Sequence, residues 1–98
     1  MKLRILDNSI RLRLSQAEVT QLADDQVVLA SIHFPAGNAL HYRILPSTSV
    51  EEIHLSYDQE GITVTVPTSQ VKEWANSEEV GISTSQPLAN NDTVRILI

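Results

Sequence analysis

The chain has 98 residues and a formal net charge of −5; 42% of the residues are hydrophobic and none is cysteine. This composition predicts one globular domain over residues 1–98, and it excludes disulfides, thiolate catalysis and cysteine-based metal sites. The negative charge argues against broad electrostatic attraction to nucleic acid. The acid at Asp7 argues against a signal peptide, and no apolar run is long enough to span a membrane. We therefore expect a cytoplasmic protein.

The first half of the chain predicts two β-hairpins separated by a short helix. Ser15 and Glu18 match the capping box that begins a helix, and the apolar stripe that follows predicts a buried helix face. That stripe consists of Val19, Leu22 and Ala23. The predicted strands of this half, which alternate or are rich in apolar residues, lie at 2–6, 9–14, 27–34 and 39–45, with turns at 7–8 and 35–38.

The second half predicts the same order of elements after a linker at 46–50 that is rich in serine and threonine. Pro67 stands where a helix can begin, and Val71, Trp74 and Ala75 form an apolar stripe that we expect to be buried. The predicted strands of this half lie at 53–57, 62–66, 80–86 and 93–98, with turns at 58–61 and 87–92.

The two halves are related by an internal repeat. Sliding 1–46 onto 53–98 without a gap gives eleven identical pairs, whereas random pairing at average residue usage gives about three. We therefore predict a strand-rich α+β fold with a tandem ββαββ repeat (1–46 and 51–98) about a pseudo-two-fold axis; the alternative is two unrelated β-rich halves that match by composition. The identical pairs are Leu3/Leu55, Ile10/Ile62, Val19/Val71, Ala23/Ala75, Val28/Val80, Ser31/Ser83, Pro35/Pro87, Asn38/Asn90, Arg43/Arg95, Ile44/Ile96 and Leu45/Leu97.

Each unit resembles the swapped-hairpin barrel half of AbrB/MazE-type proteins. The resemblance is clearest in the second unit, which has a turn with Gly61, an alternating strand at 62–66, Pro67, a short helix through Ala75 and an acidic loop at 76–79. In that family two chains contribute one unit each, so the resemblance implies an intrachain swapped-hairpin barrel here. It also implies a nucleic-acid-binding regulator or an antitoxin-type protein.

The first unit departs from that pattern, because Ser15 stands in place of the proline and no glycine ends its first turn. The opening of the chain, 1–14, also resembles a family of small uncharacterised bacterial proteins through its Asn8-Ser9-Ile10-Arg11-Leu12-Arg13-Leu14 segment. The second resemblance implies no function.

No catalytic constellation stands out in the sequence. There is no Gly-x-Ser-x-Gly motif, and three scattered glycines cannot form a phosphate loop. His33, His41 and His54 lack the spacing of metal ligands, and the paired acids 24–25, 51–52 and 78–79 fall at element boundaries, as solvated charges usually do. We predict no enzyme activity, cofactor or metal; a small-molecule enzyme remains the alternative.

One feature points to binding. In the predicted first hairpin, Leu3 faces Leu12 and Ile5 faces Ile10 on one side, so the other side carries four cations. Residues 1–49 hold five Lys or Arg against four acids, whereas 50–98 hold two against eight. The four cations are Lys2, Arg4, Arg11 and Arg13.

Two interpretations of these cations follow from the charges. Carboxylates of the second unit, such as Glu51, Glu52, Asp58 or Glu60, could neutralise them. Otherwise they meet an anionic partner outside the chain, since like charges directly opposite are unfavourable. On the second interpretation the protein is a non-catalytic interaction module, as a monomer or homodimer, whose partner is an acidic protein surface or, less favoured, nucleic acid, and not a membrane.

Overall fold

The computed structural model describes residues 1–76, 81–90 and 92–98. Strands and helices follow the order ββαββ in each half, as predicted, and the fold is a strand-rich α+β fold. The predicted Glu78-Glu79 pair and the predicted strand start at Val80 lie outside the described residues. The elements are β1 (Lys2–Leu6), β2 (Ser9–Arg13), α1 (Gln16–Ala23), β3 (Val28–His33), β4 (Ala39–Ser47), β5 (His54–Asp58), β6 (Gly61–Pro67), α2 (Thr68–Ala75), β7 (Ser83–Pro87) and β8 (Thr93–Leu97).

The strands form two four-stranded sheets, and each sheet combines one hairpin from each half. The strand orders are β1-β2-β8-β7 and β3-β4-β6-β5, with β2 parallel to β8 and β4 parallel to β6. Gly61 begins β6 at φ +106°, and any side chain at this position would run into the backbone carbonyl of His41 on the adjacent β4. Because each sheet contains one hairpin from each half, the hairpins are exchanged within the chain. At Gly61 the parallel strands β4 and β6, which come from different halves, lie close together.

The two helices begin by different means at equivalent positions. The Ser15 hydroxyl accepts a hydrogen bond from the Glu18 amide (3.2 Å), and the Glu18 carboxylate accepts one from the Ser15 amide (2.9 Å), which confirms the capping box. Asp25, at φ 61°, lies just beyond the end of α1. In α2, Pro67 is the N-cap and makes no side-chain capping bond. Among the described residues, no helix is long and apolar enough to cross a membrane.

Both sheets and both helices share one hydrophobic core. Val19, Leu22, Val71 and Trp74 are buried, as their spacing predicts. The stripe is narrower than predicted, because the two alanines that complete it are only half-buried against the core. The buried residues are Ile10, Leu12, Val19, Leu22, Val28, Ile44, Ile53, Val64, Val66, Val71, Trp74, Ile96 and Ile98.

The ungapped repeat holds only as far as the helices. The register of β1–β2 is reproduced in β5–β6, but the last hairpin is displaced by two residues relative to β3–β4. The pair Val28–Ile44 has its counterpart in Ile82 and Ile98, which exchange backbone hydrogen bonds of 3.0 and 2.8 Å. Two more residues separate the end of α2 from Ile82 than separate the end of α1 from Val28. Of the seven identities beyond Ala23/Ala75, the six that lie within the described residues are consequently not structural counterparts.

The predicted linker also begins too early. β4 continues through Ser47, and Pro46 and Ser47 pair with Val66 and Pro67 of β6. Proline is tolerated there despite its missing amide donor, because a parallel ladder uses only alternate amides of a strand towards one neighbour. The connection between the halves thus consists of residues 48–53, between β4 and β5.

Replacing Trp74 by alanine should lower the free energy of unfolding by about 3–5 kcal/mol, because a large buried ring would leave a cavity. Only 6% of Trp74 is exposed, whereas 76% of Tyr57 is exposed. Tyr57→Ala is therefore the matched aromatic control and should change stability little. Urea denaturation of the two variants measures the difference. A Trp74→Ala protein as stable as the control would show that the ring is not a core anchor.

Candidate functional site

The four predicted cations lie on the outer face of the first hairpin. Lys2 is paired with Arg13 and Arg4 with Arg11, in the predicted register, and all four side chains are exposed. We call this set the basic hairpin face. The opposite face of the hairpin includes Leu12, which is fully buried. Strand alternation alone therefore separates the cations from the core.

No carboxylate within the described residues forms an ion pair with the basic hairpin face. Glu60, which could have neutralised it, lies 3.4 Å from the Arg43 guanidinium instead. The carboxylate of Asp58 accepts a hydrogen bond from the Glu60 amide (2.8 Å). Glu51 and Glu52 line a separate cavity of about 380 Å³. The carboxylates named as internal partners are thus engaged or placed elsewhere.

The basic hairpin face continues into a cavity of about 540 Å³, lined by its four cations together with Met1, Leu3 and Tyr42. Tyr42 comes from β4 in the other sheet and is half-buried. This volume lies in the range of pockets that bind small molecules. The cavity combines positive charge with an apolar and aromatic wall, a combination that the strand pattern did not reveal because Tyr42 is remote in sequence.

The amino terminus is anchored beside this cavity. The Met1 ammonium lies 2.9 Å from a carboxylate oxygen of Glu18, the residue that also closes the capping box. Partial burial raises the pKa of Glu18, but hydrogen bonds from the ammonium and from Ser15 outweigh it, so that this pKa lies below its usual value. The sequence indicated the capping box but carried no signal for the ammonium, which reaches Glu18 through tertiary contact.

The equivalent face of the second hairpin is uncharged by comparison. In β5–β6, in the same register, the counterparts of the four cations are His54, Ser56, Thr63 and Thr65. The same fold therefore forms without cations at these positions. This comparison makes the charge of the first hairpin a property of its surface rather than a requirement of its structure.

The second hairpin instead meets a glutamine from the opposite sheet. The Gln86 amide oxygen accepts from the Leu55 amide (2.7 Å), and the Gln86 amide nitrogen donates to the Leu55 carbonyl (3.2 Å). A side chain on β7 thus satisfies both backbone groups that Leu55 presents at the edge of β5. Sequence reasoning missed Gln86, because a polar residue in a strand gives no sign of pairing with a distant backbone.

The remaining candidates form no shared site. His33 is paired with Ala39, and the His41 ring nitrogen Nδ1 lies 2.6 Å from the Ser31 hydroxyl. The described part of the chain contains no group of three or more His, Asp or Glu side chains placed to hold a metal ion. Trp74 contributes to the lining of a further cavity of about 330 Å³, although it is buried.

Comparison with known proteins identifies a family whose function is unknown. Residues 1–98 match the model of DUF7009, described as a family of unknown function. No curated protein and no solved structure matches the chain.

The ion pair of Glu18 should make stability depend on pH. Because the folded-state pKa lies below the usual 4.5, the carboxylate stabilises the fold above that pH, and this contribution is lost as pH falls through the lowered value. Glu18→Gln keeps a side-chain capping acceptor but removes the charge. The free energies of unfolding of the two proteins should differ at neutral pH and converge in acid. A difference that stays constant across this range would contradict the ion pair.

Proposed function

We propose, from the premise that the chain belongs to DUF7009, a family of unknown function, that the protein is a non-catalytic binding module. Its partner is an acidic protein surface, and the basic hairpin face is the binding surface. The observation that carries the proposal is the presence of two cross-strand pairs of exposed cations, Lys2 opposite Arg13 and Arg4 opposite Arg11.

Such pairs have a cost in the free protein. Like charges directly opposite on a sheet destabilise it, by an amount on the order of 0.2–1 kcal/mol for each pair. The second hairpin has neutral polar residues at Thr63 and Thr65 and no such cost. An anionic partner would turn this repulsion into attraction, which gives the four cations a physical role in the complex.

A protein partner is favoured over nucleic acid by the surroundings of the cations. Residues 50–98 carry eight acids and two cations, so phosphates that extend past the hairpin would be repelled. Four cations can neutralise only a few phosphates. An exposed apolar side chain lies on the same face, since Leu6 shares the face of Lys2 and Arg4 and is 62% exposed. A mixture of cations and exposed apolar side chains suits a protein interface, where apolar contact adds to charge.

The double variant Arg11→Thr/Arg13→Thr, which copies the second hairpin, should bind acidic polypeptide on the order of tenfold more weakly. Its free energy of unfolding should stay within about 0.5 kcal/mol of the original or rise slightly, because repulsion is relieved. Binding is measured by fluorescence anisotropy with labelled poly-L-glutamate and, in parallel, with duplex DNA at several salt concentrations.

The control is Lys72→Glu, which makes the same change in net charge at one exposed position of α2 and should leave binding nearly unchanged. Equal loss in the control and in the double variant would reduce the effect to net charge. Tight binding of DNA with a steep salt dependence, and none of poly-L-glutamate, would replace the protein partner by nucleic acid. A large loss of stability in the Arg11→Thr/Arg13→Thr protein would mean that the arginines are paired internally.

A further inference from the structure

β1 is an edge strand whose outer backbone groups face away from β2. The two-residue turn at Asp7 and Asn8 is closed by the pair Leu6–Ser9. Hydrogen-bonded and non-hydrogen-bonded pairs alternate along an antiparallel ladder, so Arg4 and Lys2 bond to β2 while Leu3 and Ile5 present their N–H and C=O outward.

The equivalent edge in the second half is closed by a side chain. Leu55 of β5 corresponds to Leu3, and its outward N–H and C=O are both bonded by the Gln86 amide at 2.7 and 3.2 Å. The amide acts as a one-residue strand, and it occupies one position of an edge that would otherwise be open to pairing.

The first half has an isoleucine where this glutamine would be. Ile32 and Gln86 occupy the same place in their hairpins, each in the second pair from the loop, with Leu40 and Val94 opposite. An aliphatic side chain cannot bond to a backbone amide, and Ile32 is 49% exposed. Within the described residues, no side chain bonds to the Leu3 backbone as Gln86 bonds to that of Leu55. The two pseudo-symmetric edges therefore differ at this position, which is bonded in β5 and open in β1.

We propose that an extended acidic peptide segment of a partner protein adds as a strand to the open edge of β1. This inference rests on the proposed function, since it assigns the form in which the acidic partner binds. The peptide backbone would bond to the outward N–H and C=O groups of Leu3 and Ile5. Its acidic side chains would lie on the outer face, beside Lys2 and Arg4, and its apolar side chains on the inner face beside Leu3 and the adjoining cavity.

The distribution of charge selects this occupant. Side chains of an added strand alternate between the two faces of the sheet, and those beside Lys2 and Arg4 lie about 5 Å from them. Arg11 and Arg13 are one strand further away, within the reach of a long side chain. A second copy of the chain is disfavoured, because pairing β1 with another β1 would place Lys2 and Arg4 beside the same cations of the other molecule.

The proposal is tested with a capped synthetic peptide of alternating Glu and Val and three forms of the protein. Ile32→Gln introduces the amide that closes the other edge and should weaken binding roughly tenfold, with every cation kept. Ile32→Leu is the matched control and should bind as the original does. Hydrogen exchange of the Leu3 amide, followed by NMR, should slow on peptide binding in the original protein and in the control.

A second measurement does not depend on any variant. The same peptide, N-methylated at alternate residues on the bonding edge, keeps its charge and loses the backbone donors, so its affinity should fall by a similar factor. A block peptide of the same composition, with all Glu residues together, should also bind more weakly because it cannot place every carboxylate on one face.

The results separate this inference from the proposed function. If Arg11→Thr/Arg13→Thr weakens peptide binding while Ile32→Gln and N-methylation have no effect, the binding surface stands and strand addition is wrong. If the arginine variant binds the alternating peptide as well as the original does, the proposed function itself fails. Unchanged exchange of the Leu3 amide at saturating peptide would also overturn strand addition.

Discussion

The fold depends on two parallel strand contacts, β2 with β8 and β4 with β6. Each contact joins a hairpin of one half to a hairpin of the other, so neither half contains a complete four-stranded sheet. Burial follows the same rule, because Leu12 and Ile96 lie on adjacent strands from opposite halves and both are fully buried. A hairpin alone is at best marginally stable in water. The exchange is therefore the condition under which two short units form one core.

Sequence patterns predicted the structural features that depend on residues close together in the chain. Alternation gave the register of β1–β2, and the Ser15–Glu18 capping box gave the start of α1, because both depend on residues within a few positions of each other. The displacement of the last hairpin was missed, because identities such as Val28/Val80 occur only when the two halves are aligned without a gap and so favoured that alignment. The bonds of Gln86 to Leu55 were also beyond the sequence, because they join residues from different sheets.

The sequence predicted which residues form the candidate site, but it did not predict the residues and the cavity that surround them. Strand alternation placed the four cations on one face, and counting charges raised the possibility of internal neutralisation. Only the structure placed Glu60 beside Arg43 and joined the cations to a cavity with Tyr42 as part of its wall. The two halves share a backbone plan while their surfaces differ in charge. The halves also differ in which backbone groups are free at their edge strands. Gln86 bonds to the Leu55 backbone on β5, whereas Ile32, at the equivalent position, cannot bond to the backbone of β1.

The parallel contact of β2 with β8 has a consequence for how the chain acquires its structure. Ser9 aligns with Arg95, and the Asn8 carbonyl accepts a hydrogen bond from the Arg95 amide, so residues near opposite ends of the sequence must meet. Contacts of such wide sequence separation slow folding, because loop-closure entropy is lost before they form. During synthesis on the ribosome, the first hairpin is made before β8, the strand with which it pairs. Until β8 is available, the cations Lys2 and Arg4 would oppose association between the exposed hairpins of neighbouring nascent chains.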